Sequence, residues 1–360
     1  MNDHGNDNEN KRHTVTIADV AERAGVSRQT VSRALNGLGE ISEETRRRVL
    51  EIIHEMGYRP SSIARGLKTR RTLTLGLVVP DIANPFFAEV ARGAFEVARA
   101  AGYGLLLCNT DEDPSQEWAA LRLLEDHRVD GVVLCSSRLD DLQLADACRR
   151  CRPVVVVNRT PPELAGVGCV QVADRDDARQ AVRYLHSLGH QAMAFVGGTE
   201  ASQSSRGRRQ GFVEALTELG PAAGPVRMVD ALPNVEGGRA AAQAVLTAWP
   251  EVTALLAFND LVAVGCVQAC QAARRPVPNS ISVLGWDDII FAPFLSPPLT
   301  TVRLPKHEIG VQALRLLLEL VRDPTRSVAP LELAGELVVR CTTAPPMHQT
   351  YPFSPTEEDV

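Results

Sequence analysis

The sequence predicts a small all-α helix-turn-helix headpiece and a linker with helical potential, followed by an α/β body of two lobes. Three short helical patterns occupy residues 16–56, and from Leu73 onward apolar strands alternate with helices in two successive runs. The chain has 360 residues, which at about 150 per domain corresponds to two domains and an appendage. Hydrophobic residues make up 44% and charged residues 23%, proportions that exclude wholesale disorder.

Capping signals predict the first two helices of the headpiece. Thr16 and Asp19 form a capping-box pattern at the start of a helix over residues 17–24. Ser27 then caps a second helix over residues 28–35, after a turn of the length that a helix-turn-helix needs.

A third helix is predicted to begin after Ser42, with apolar residues at helical spacing that join the same small core: Val49, Ile52, Ile53 and Met56. Pro60 prevents simple continuation of this bundle. Residues 61–68 show a short, weak helical pattern before the polar run 69–72. We therefore expect a linker with helical potential between headpiece and body.

Two runs of strands and helices predict the lobes of the body. The first run has strands at 73–79, 103–107, 132–135 and 154–157, with helices at 85–101 and 114–126. The second has strands at 192–196, 226–229, 254–258 and 281–284, with helices at 206–219, 235–248 and 260–273. Such alternation implies parallel sheets with helices on both faces.

Charge is unevenly divided along the chain. Residues 11–71 carry 13 Lys and Arg against 7 Asp and Glu, a net charge of +6, whereas the whole chain carries −6. A basic segment ahead of an acidic body is typical of a module for a polyanion, because neutralised phosphates release their counterions. A solvated charged face is the alternative interpretation.

Targeting and catalytic signals are absent from the sequence. The Asn/Asp-rich residues 1–10 lack the pattern of a secretory signal, and the purely apolar runs are too short to span a bilayer, so we expect a cytoplasmic protein without disulfides. Nucleophile-elbow, P-loop, dinucleotide-binding and zinc-protease signatures are not found. Cys148-Arg149-Arg150-Cys151 has metal or redox spacing but lacks a second Cys/His pair, so no metal or cofactor is expected.

The exposed face predicted for the second helix suits DNA. Five polar side chains share it, Ser27, Arg28, Gln29, Ser32 and Arg33, while three apolar ones face the core, Val31, Ala34 and Leu35. Arginine can pair with the guanine edge and glutamine with the adenine edge of a base pair in the major groove. An ordinary polar helix face is the alternative.

The run from Val15 to Asn36 resembles the amino-terminal headpiece of the LacI/GalR family of bacterial transcription regulators. The resemblance continues through residues 42–46, 57–60 and 64–68 and through segments of the body: 84–87, 188–190, 208–212, 258–260, 281–288 and 298–301. It implies a periplasmic-binding-protein-like body with a small-molecule effector, expected to be a carbohydrate, between two lobes joined by three crossovers. It also implies a repressor that binds a pseudo-palindromic double-stranded operator as a homodimer.

The resemblance assigns base reading to Arg28, Gln29 and Arg33, and backbone contact and helix packing to Ser32 and Asn36. Leu67 matches a hinge-helix leucine that is inserted into the minor groove, although packing against the core is the alternative. Because the hinge is too short to be a stable helix in water, its folding should be coupled to DNA binding. The expected DNA-contacting set is Thr16, Ser27, Arg28, Gln29, Thr30, Ser32, Arg33, Asn36, Ala64, Leu67 and Lys68.

Candidate effector-binding residues follow the carboxyl ends of predicted strands, where open α/β sheets bind ligands. They are Phe86, Phe87, Asn158, Asn259 and Asp287, joined by Ser204 and Arg208, which correspond to family effector contacts. Core packing is the alternative for Phe86, and helix capping for Asn259 and Asp287. Asn158 stands where many relatives carry Asp. Residues 230–233 lack a frequent aromatic, and this missing ring argues against a standard hexose.

The expected domains are a disordered extension (1–13), the helix-turn-helix domain (14–60), hinge helix and linker (61–71), an effector-binding and dimerisation body (72–345) and a disordered tail (346–360). Two rival functions are a body that docks a partner protein and an enzyme acting in the cleft. Inducer and co-repressor roles for the effector are both open.

Overall fold

The computed structural model describes residues 15–36, 39, 41–58, 71–160 and 163–347. Most of the expected N-terminal extension, hinge and tail lies outside these residues, so the expectations for those segments stay predictions.

The described chain contains eleven α-helices and twelve strands. The helices are α1 (Ile17–Ala24), α2 (Arg28–Asn36), α3 (Glu43–Glu55), α4 (Pro85–Ala100), α5 (Pro114–Asp126), α6 (Asp141–Arg150), α7 (Asp174–Ser187), α8 (Gln203–Leu219), α9 (Val235–Ala248), α10 (Asp260–Ala272) and α11 (Lys306–Arg322). The strands are β1 (Thr74–Val79), β2 (Gly104–Asn109), β3 (Val132–Cys135), β4 (Val154–Val157), β5 (Val167–Val172), β6 (Met193–Gly197), β7 (Met228–Asp230), β8 (Ala254–Ala257), β9 (Ser282–Asp287), β10 (Thr300–Arg303), β11 (Leu331–Leu333) and β12 (Glu336–Val338).

The two compact units of the chain are Met1–Thr72 and Leu73–Val360. In the first unit, α1 begins with the predicted capping box: the Asp19 carboxylate accepts a hydrogen bond from the Thr16 N–H at 2.8 Å, and the exposed Thr16 hydroxyl caps the Asp19 N–H. Gly25, at φ +64°, ends this helix. These local signals explain why the sequence predicted the helix correctly.

The headpiece core forms where its three helices meet. Its buried side chains are Val20, Ala21, Ala24, Val31, Ala34 and Val49. Leu35 and the apolar residues near the end of α3, Ile52, Ile53 and Met56, are half-buried around it. This small core fixes the orientation of α2 relative to its neighbours.

The second unit contains two sheets of six strands. The first has the order β11-β5-β4-β3-β1-β2 and is parallel throughout. The second has the order β12-β10-β9-β8-β6-β7, and only β12 is antiparallel to its neighbour. The prediction of parallel sheets in two lobes is confirmed.

Three crossovers join the lobes. They lie between β5 and α7, between β10 and α11, and between β11 and β12. Two of them are tied together, because the Ala173 N–H donates to the Leu333 carbonyl at 3.0 Å and the Gly335 N–H donates to the Asp177 carboxylate at 2.8 Å. Two of the three connections between the lobes are therefore held to each other by hydrogen bonds.

Several elements were absent from the sequence prediction. β11 and β12 have three residues each, none of them buried, so they lack the apolar run that marks a buried strand. α7 begins with four charged residues, Asp174 to Asp177, and two of these aspartates are buried. Tertiary contacts thus stabilise elements whose local pattern is weak.

Candidate functional site

Helix α2 carries the predicted DNA-contacting side chains of the headpiece. Arg28 and Gln29 are exposed on its first turn. The exposed Ser27 caps the helix, since its Oγ accepts a hydrogen bond from the Thr30 N–H at 3.1 Å. The first turn of a recognition helix is the part that contacts base edges, so Arg28 and Gln29 are well placed for that role.

Two side chains of α2 are less exposed than predicted. Ser32 and Arg33 were expected on the exposed face, but both are half-buried, because α2 packs against α1 and α3 and its exposed face narrows after the first turn. Four further predicted contacts lie outside the described residues: the side chain of Asn36, and Ala64, Leu67 and Lys68.

A cavity between the lobes of the body brings together all seven side chains predicted to bind an effector. From the first lobe these are Phe86, Phe87 and Asn158, and from the second Ser204, Arg208, Asn259 and Asp287. The lining residues that the sequence did not single out are Asn84, Glu112, Ser136, Arg138, Ser202, Pro233 and Phe258. Counted with its open mouth, the cavity holds about 380 Å³ of empty space. Strand ends of both sheets therefore converge on one site.

Arg208 is a buried cation of the cavity wall. It lies on α8 and is only 3% exposed. Its Nε donates to Asp174 Oδ1 at 2.7 Å, and its Nη1 donates to the Phe258 carbonyl. The guanidinium carbon lies 4.9 Å from the ring centre of Phe258 and 4.6 Å from that of Trp286. Aromatic rings and a carboxylate thus hold one guanidinium in a fixed plane.

Asp287 ends strand β9 with a φ of +104°, in the left-handed region that non-glycine residues rarely adopt. Burial raises the pKa of its carboxyl to about 7, despite the opposing attraction of Arg208 and Lys306. Lys306 Nζ donates to the backbone carbonyl of Asp287, and to that of Asp288 at 2.8 Å. No helix begins at Asp287, so the capping alternative does not apply to it.

Asn259 both lines the cavity and caps a helix. Its Oδ1 accepts a hydrogen bond from the Val262 N–H at 2.8 Å at the start of α10, and its Nδ2 donates to the Pro233 carbonyl at 3.3 Å. The capping alternative is therefore correct for this residue, and a ligand would meet an amide that already has partners.

The first turn of α8 starts three residues earlier than predicted, because Ser202 caps it by accepting a hydrogen bond from the Ser205 N–H at 3.3 Å. This cap places Ser204 in the cavity wall, buried, one helical turn before Arg208. Spacing of four residues puts both side chains on one face of the helix.

Phe86 and Phe87 lie in the first turn of α4 and form an aromatic wall. Asn84 caps this helix, its Oδ1 accepting a hydrogen bond from the Phe86 N–H at 2.9 Å. The two rings meet edge to face, with centres 5.0 Å apart. Both rings belong to the buried core and also line the cavity, so the core-packing and ligand-contact interpretations are compatible.

Asn158 follows β4 in a left-handed conformation, φ +53°, and is 6% exposed. Its Oδ1 is buried and has no hydrogen-bond partner among the described residues. A buried amide oxygen without a partner is costly, so a hydrogen-bond donor supplied by a ligand would stabilise it.

Glu112 and Arg138 form an ion pair in the wall of the first lobe that the sequence analysis missed. Arg138 Nε lies 2.5 Å from Glu112 Oε2 and Arg138 Nη2 lies 3.0 Å from Glu112 Oε1, a bidentate geometry. The residues follow different strands, β2 and β3, and are separated by 26 positions. Only their position after strand ends could have identified Glu112 and Arg138 as cavity residues, since neither belongs to a recognisable motif.

The other residues considered for redox, catalytic or metal chemistry lie in environments that favour a structural role. Burial raises the pKa of Cys148 to about 12 and that of Cys151 to about 11, which disfavours the thiolate needed for redox chemistry. The buried His190 ring lies within hydrogen-bond distance of Thr253 Oγ1 at 2.8 Å and of Ser282 Oγ at 3.0 Å. Within the described part of the chain, no cluster of three or more His, Cys, Asp or Glu side chains is arranged to hold a metal ion.

Two family models match the chain. Residues 16–61 match the model for bacterial regulatory proteins of the lacI family, and residues 72–335 match the model for periplasmic binding proteins and the sugar binding domain of the LacI family. None of the described helices has the length and apolar character needed to cross a membrane.

Individual relatives cover nearly the whole chain. The HTH-type transcriptional repressor PurR of Photobacterium profundum is 34% identical over 325 residues, which is 90% of this chain and 97% of that relative. The ribose operon repressor of Halalkalibacterium halodurans is 34% identical over 328 residues, 91% of this chain and 97% of the other. The structure of the lac repressor dimer bound to operator and the anti-inducer ONPF superimposes with a TM-score of 0.82 at 27% identity, covering 92% of this chain and 99% of that one.

Proposed function

The chain belongs to the LacI family of bacterial regulatory proteins, and from this premise we propose that it is a transcriptional repressor controlled by a small metabolite. Its headpiece binds operator DNA, and its body binds an effector between the two lobes. A single observation supports this function most directly. Side chains from the strand ends of both sheets converge on one cavity, in a chain that also carries a helix-turn-helix.

We assign base reading to Arg28 and Gln29, whose side chains extend from the exposed first turn of α2. Arginine pairs with guanine and glutamine with adenine in the major groove. Arg33, expected from the resemblance to read a base, is half-buried, and we assign it to packing and phosphate contact instead. Other headpiece side chains hold the helix in register in the same ways: Thr16, Ser27, Thr30, Ser32 and Asn36.

The hinge segment at 61–71 is proposed to become helical on the operator, where Leu67 separates a base step and Ala64 and Lys68 approach the same groove. Unstacking costs a few kcal/mol, and a bent duplex that contacts more protein surface offsets this cost. Because the hinge is too short to fold alone, its order depends on DNA and on a second copy of the chain.

A homodimer fits both the pseudo-palindromic operator and the surface of the body. Exposed apolar side chains include Leu106 and Leu107 on the edge strand β2, and Ile290, Phe291 and Phe294 after β9. We assign these surfaces to the second copy, since the related lac repressor is a dimer on its operator and twofold protein symmetry matches twofold DNA symmetry.

The effector is a carbohydrate or a related polar metabolite. The seven predicted residues offer amide, hydroxyl, carboxylate and guanidinium groups beside an aromatic wall, which suits a ligand with polar edges and apolar faces. A relative that represses a ribose operon supports this class. The effector acts by linkage, because a ligand with different affinity for two lobe arrangements shifts their populations and thereby the order of the hinge.

The proposed organisation is a helix-turn-helix domain at 14–60, a hinge at 61–71 and a body at 72–345, acting in the cytoplasm where the chromosome lies. No catalytic role is assigned, since the cavity contains no paired nucleophile and base, and detectable turnover of a bound metabolite would revive the enzymatic alternative. A body that docks a partner protein is the other rival.

The test is selection of genomic fragments by the purified full-length chain, followed by fluorescence anisotropy on the selected site with and without a library of sugars, polyols and nucleobases. We expect one site to bind at least a thousandfold more tightly than random duplex at physiological salt, and one compound to change that affinity. Binding without preference for any site would contradict the proposal. A site preference that no compound alters, with capture of a protein in a pull-down, would favour the partner-docking rival.

A further inference from the structure

The Glu112–Arg138 ion pair lies in the wall of the cavity and is held there by three loops. Arg138 Nη1 donates to the Ser136 carbonyl at 2.5 Å, and the Arg138 N–H donates to Glu117 Oε2 at 2.8 Å. The Glu112 N–H in turn donates to the Pro80 carbonyl at 3.1 Å, which ties the loop after β2 to the loop after β1. The pair is therefore fixed before any ligand binds.

Backbone strain accompanies this position of Glu112. Asp111 and Glu112 have φ values of +49° and +61°, and Ser136 has a φ of +48°. Such conformations cost free energy in residues other than glycine, and they cluster at ligand sites. The Glu112 carboxylate in this strained loop contacts the Arg138 guanidinium.

The pair retains hydrogen-bonding capacity. A guanidinium has five N–H donors, and three of those on Arg138 are used, two by Glu112 and one by Ser136. Each oxygen of Glu112 accepts one bond from Arg138 and has a second lone pair. Asn158, in the same lobe, adds a buried Oδ1 without a partner among the described residues. The first-lobe wall thus offers both donors and acceptors to a ligand.

The charges that line the cavity are already balanced. Glu112 neutralises Arg138 on one side, and Asp174 neutralises Arg208 on the other. Asp287 adds a carboxyl to the lining, and burial favours its neutral form. An anionic ligand would bring another negative charge close to the carboxylates of Glu112 and Asp174 in a buried site, where repulsion is weakly screened. Hydroxyl groups, which donate and accept, match the wall without adding charge.

We propose that Glu112 and Arg138 determine ligand specificity, by exchanging hydrogen bonds with the hydroxyls of an uncharged polyol and by excluding phosphorylated and carboxylated sugars. This inference rests on the proposed function of the cavity and makes its ligand class more specific.

The test uses the full-length chain and isothermal titration calorimetry with two matched pools. One pool contains neutral sugars and alditols, including ribose, glucose, galactose, cellobiose and ribitol. The other contains the phosphates and acids of the same sugars, including ribose 5-phosphate, glucose 6-phosphate and galacturonate. We expect binding from the neutral pool, at least tenfold tighter than that of the corresponding anionic compound.

The variant Glu112→Gln keeps the shape of the side chain and removes its charge. It should weaken binding of the neutral ligand about tenfold, because a charged acceptor is lost, and should strengthen binding of the anionic counterpart, because Arg138 is no longer neutralised. Arg138→Lys retains the charge but lacks the bidentate geometry, so it should weaken binding of the neutral ligand by a similar factor. The control is Glu125→Gln, which removes a carboxylate from an exposed pair with Arg150 in the same lobe and should change neither affinity.

Equal or tighter binding of anionic compounds by the unmodified chain would overturn the inference and leave the proposed function intact. So would an effect of Glu112→Gln no larger than that of Glu125→Gln, with folding verified by operator binding. If neither pool binds and neither alters operator affinity, the carbohydrate effector of the proposed function fails, and the inference fails with it.

Discussion

Arg208 and Asp174 form a buried ion pair at the side of the cavity, with Arg208 Nε 2.7 Å from Asp174 Oδ1 and both side chains less than a tenth exposed. Asp174 is the first residue of α7, directly after the crossover from β5. The pair therefore connects a cavity residue to a segment that joins the lobes, so ligand contact at Arg208 can influence how the lobes are arranged.

We predict that Arg208→Lys weakens effector binding at least tenfold and lowers stability. Lysine keeps the charge but cannot reproduce the planar donor set that now serves Asp174 and the Phe258 carbonyl between two aromatic rings. Calorimetry with the effector and urea unfolding would measure the two effects. Arg150→Lys, at the exposed pair with Glu125, is the matched control and should leave both unchanged. If Arg208→Lys bound the effector with unaltered affinity, Arg208 would not be a ligand contact.

For operator recognition, we predict that Gln29→Ala lowers affinity for the selected site about tenfold to a hundredfold and leaves affinity for random duplex unchanged. A bidentate base contact contributes roughly 1–3 kcal/mol of discrimination and nothing to non-specific binding. Anisotropy at one fixed salt concentration measures both affinities. Gln116→Ala, on the exposed surface of α5, serves as control. An equal loss on both duplexes would mean that Gln29 contacts the backbone rather than a base.

Local signals explain why so much of the headpiece could be predicted. The caps of Thr16, Ser27 and Ser42 involve residues three positions away, so the sequence contains both partners in one short segment. Buried strands such as β3 and β4 also carry a local signal, a run of four apolar residues, and their predicted limits are those observed.

Long-range pairing explains what the sequence did not predict. Asp174 lies 34 positions from Arg208, and Glu112 lies 26 positions from Arg138, so no local pattern connects either pair. Five of the seven predicted cavity residues were identified because they follow a strand end, and Ser204 and Arg208 because they correspond to family effector contacts. The half-buried state of Arg33 depends on how three helices pack, which spacing alone did not specify.

At the hinge, we predict that Leu67→Ala weakens specific operator binding much more than effector binding. The leucine is proposed to separate a base step, and alanine is too short to do so, whereas the cavity lies in the body. Anisotropy would follow operator affinity, and fluorescence energy transfer between labelled duplex ends would follow bending. Lys68→Ala is the comparison, because it removes a positive charge from the same segment but keeps the leucine, so affinity should fall on both duplexes while bending of the operator persists. Equal operator affinity and bending in Leu67→Ala and the unmodified chain would refute the role.

The buried Asp287 carboxyl gives a prediction about pH. Its pKa is raised from 3.8 to about 7, mainly by burial, while Arg208 and Lys306 oppose the shift and Asp174 adds to it. The folded chain therefore holds a proton that the unfolded chain releases between about pH 4 and pH 7. Consequently the contribution of this group to stability is fully present below pH 4 and is lost as pH rises through 7. The slope is about 1.4 kcal/mol per pH unit.

In the unmodified chain, the free energy of unfolding in urea should therefore be about 2 kcal/mol lower at pH 7 than at pH 5. Asp287→Asn should not show this decrease, since asparagine stays neutral at both pH values. The carboxyl of Asp177, whose pKa burial raises to about 6, titrates in both proteins and cancels in the difference. Circular dichroism at each urea concentration provides the measurement. Parallel pH profiles for the two proteins would show that Asp287 is ionised in the folded chain at pH 5, and that Arg208 and Lys306 outweigh the effect of burial.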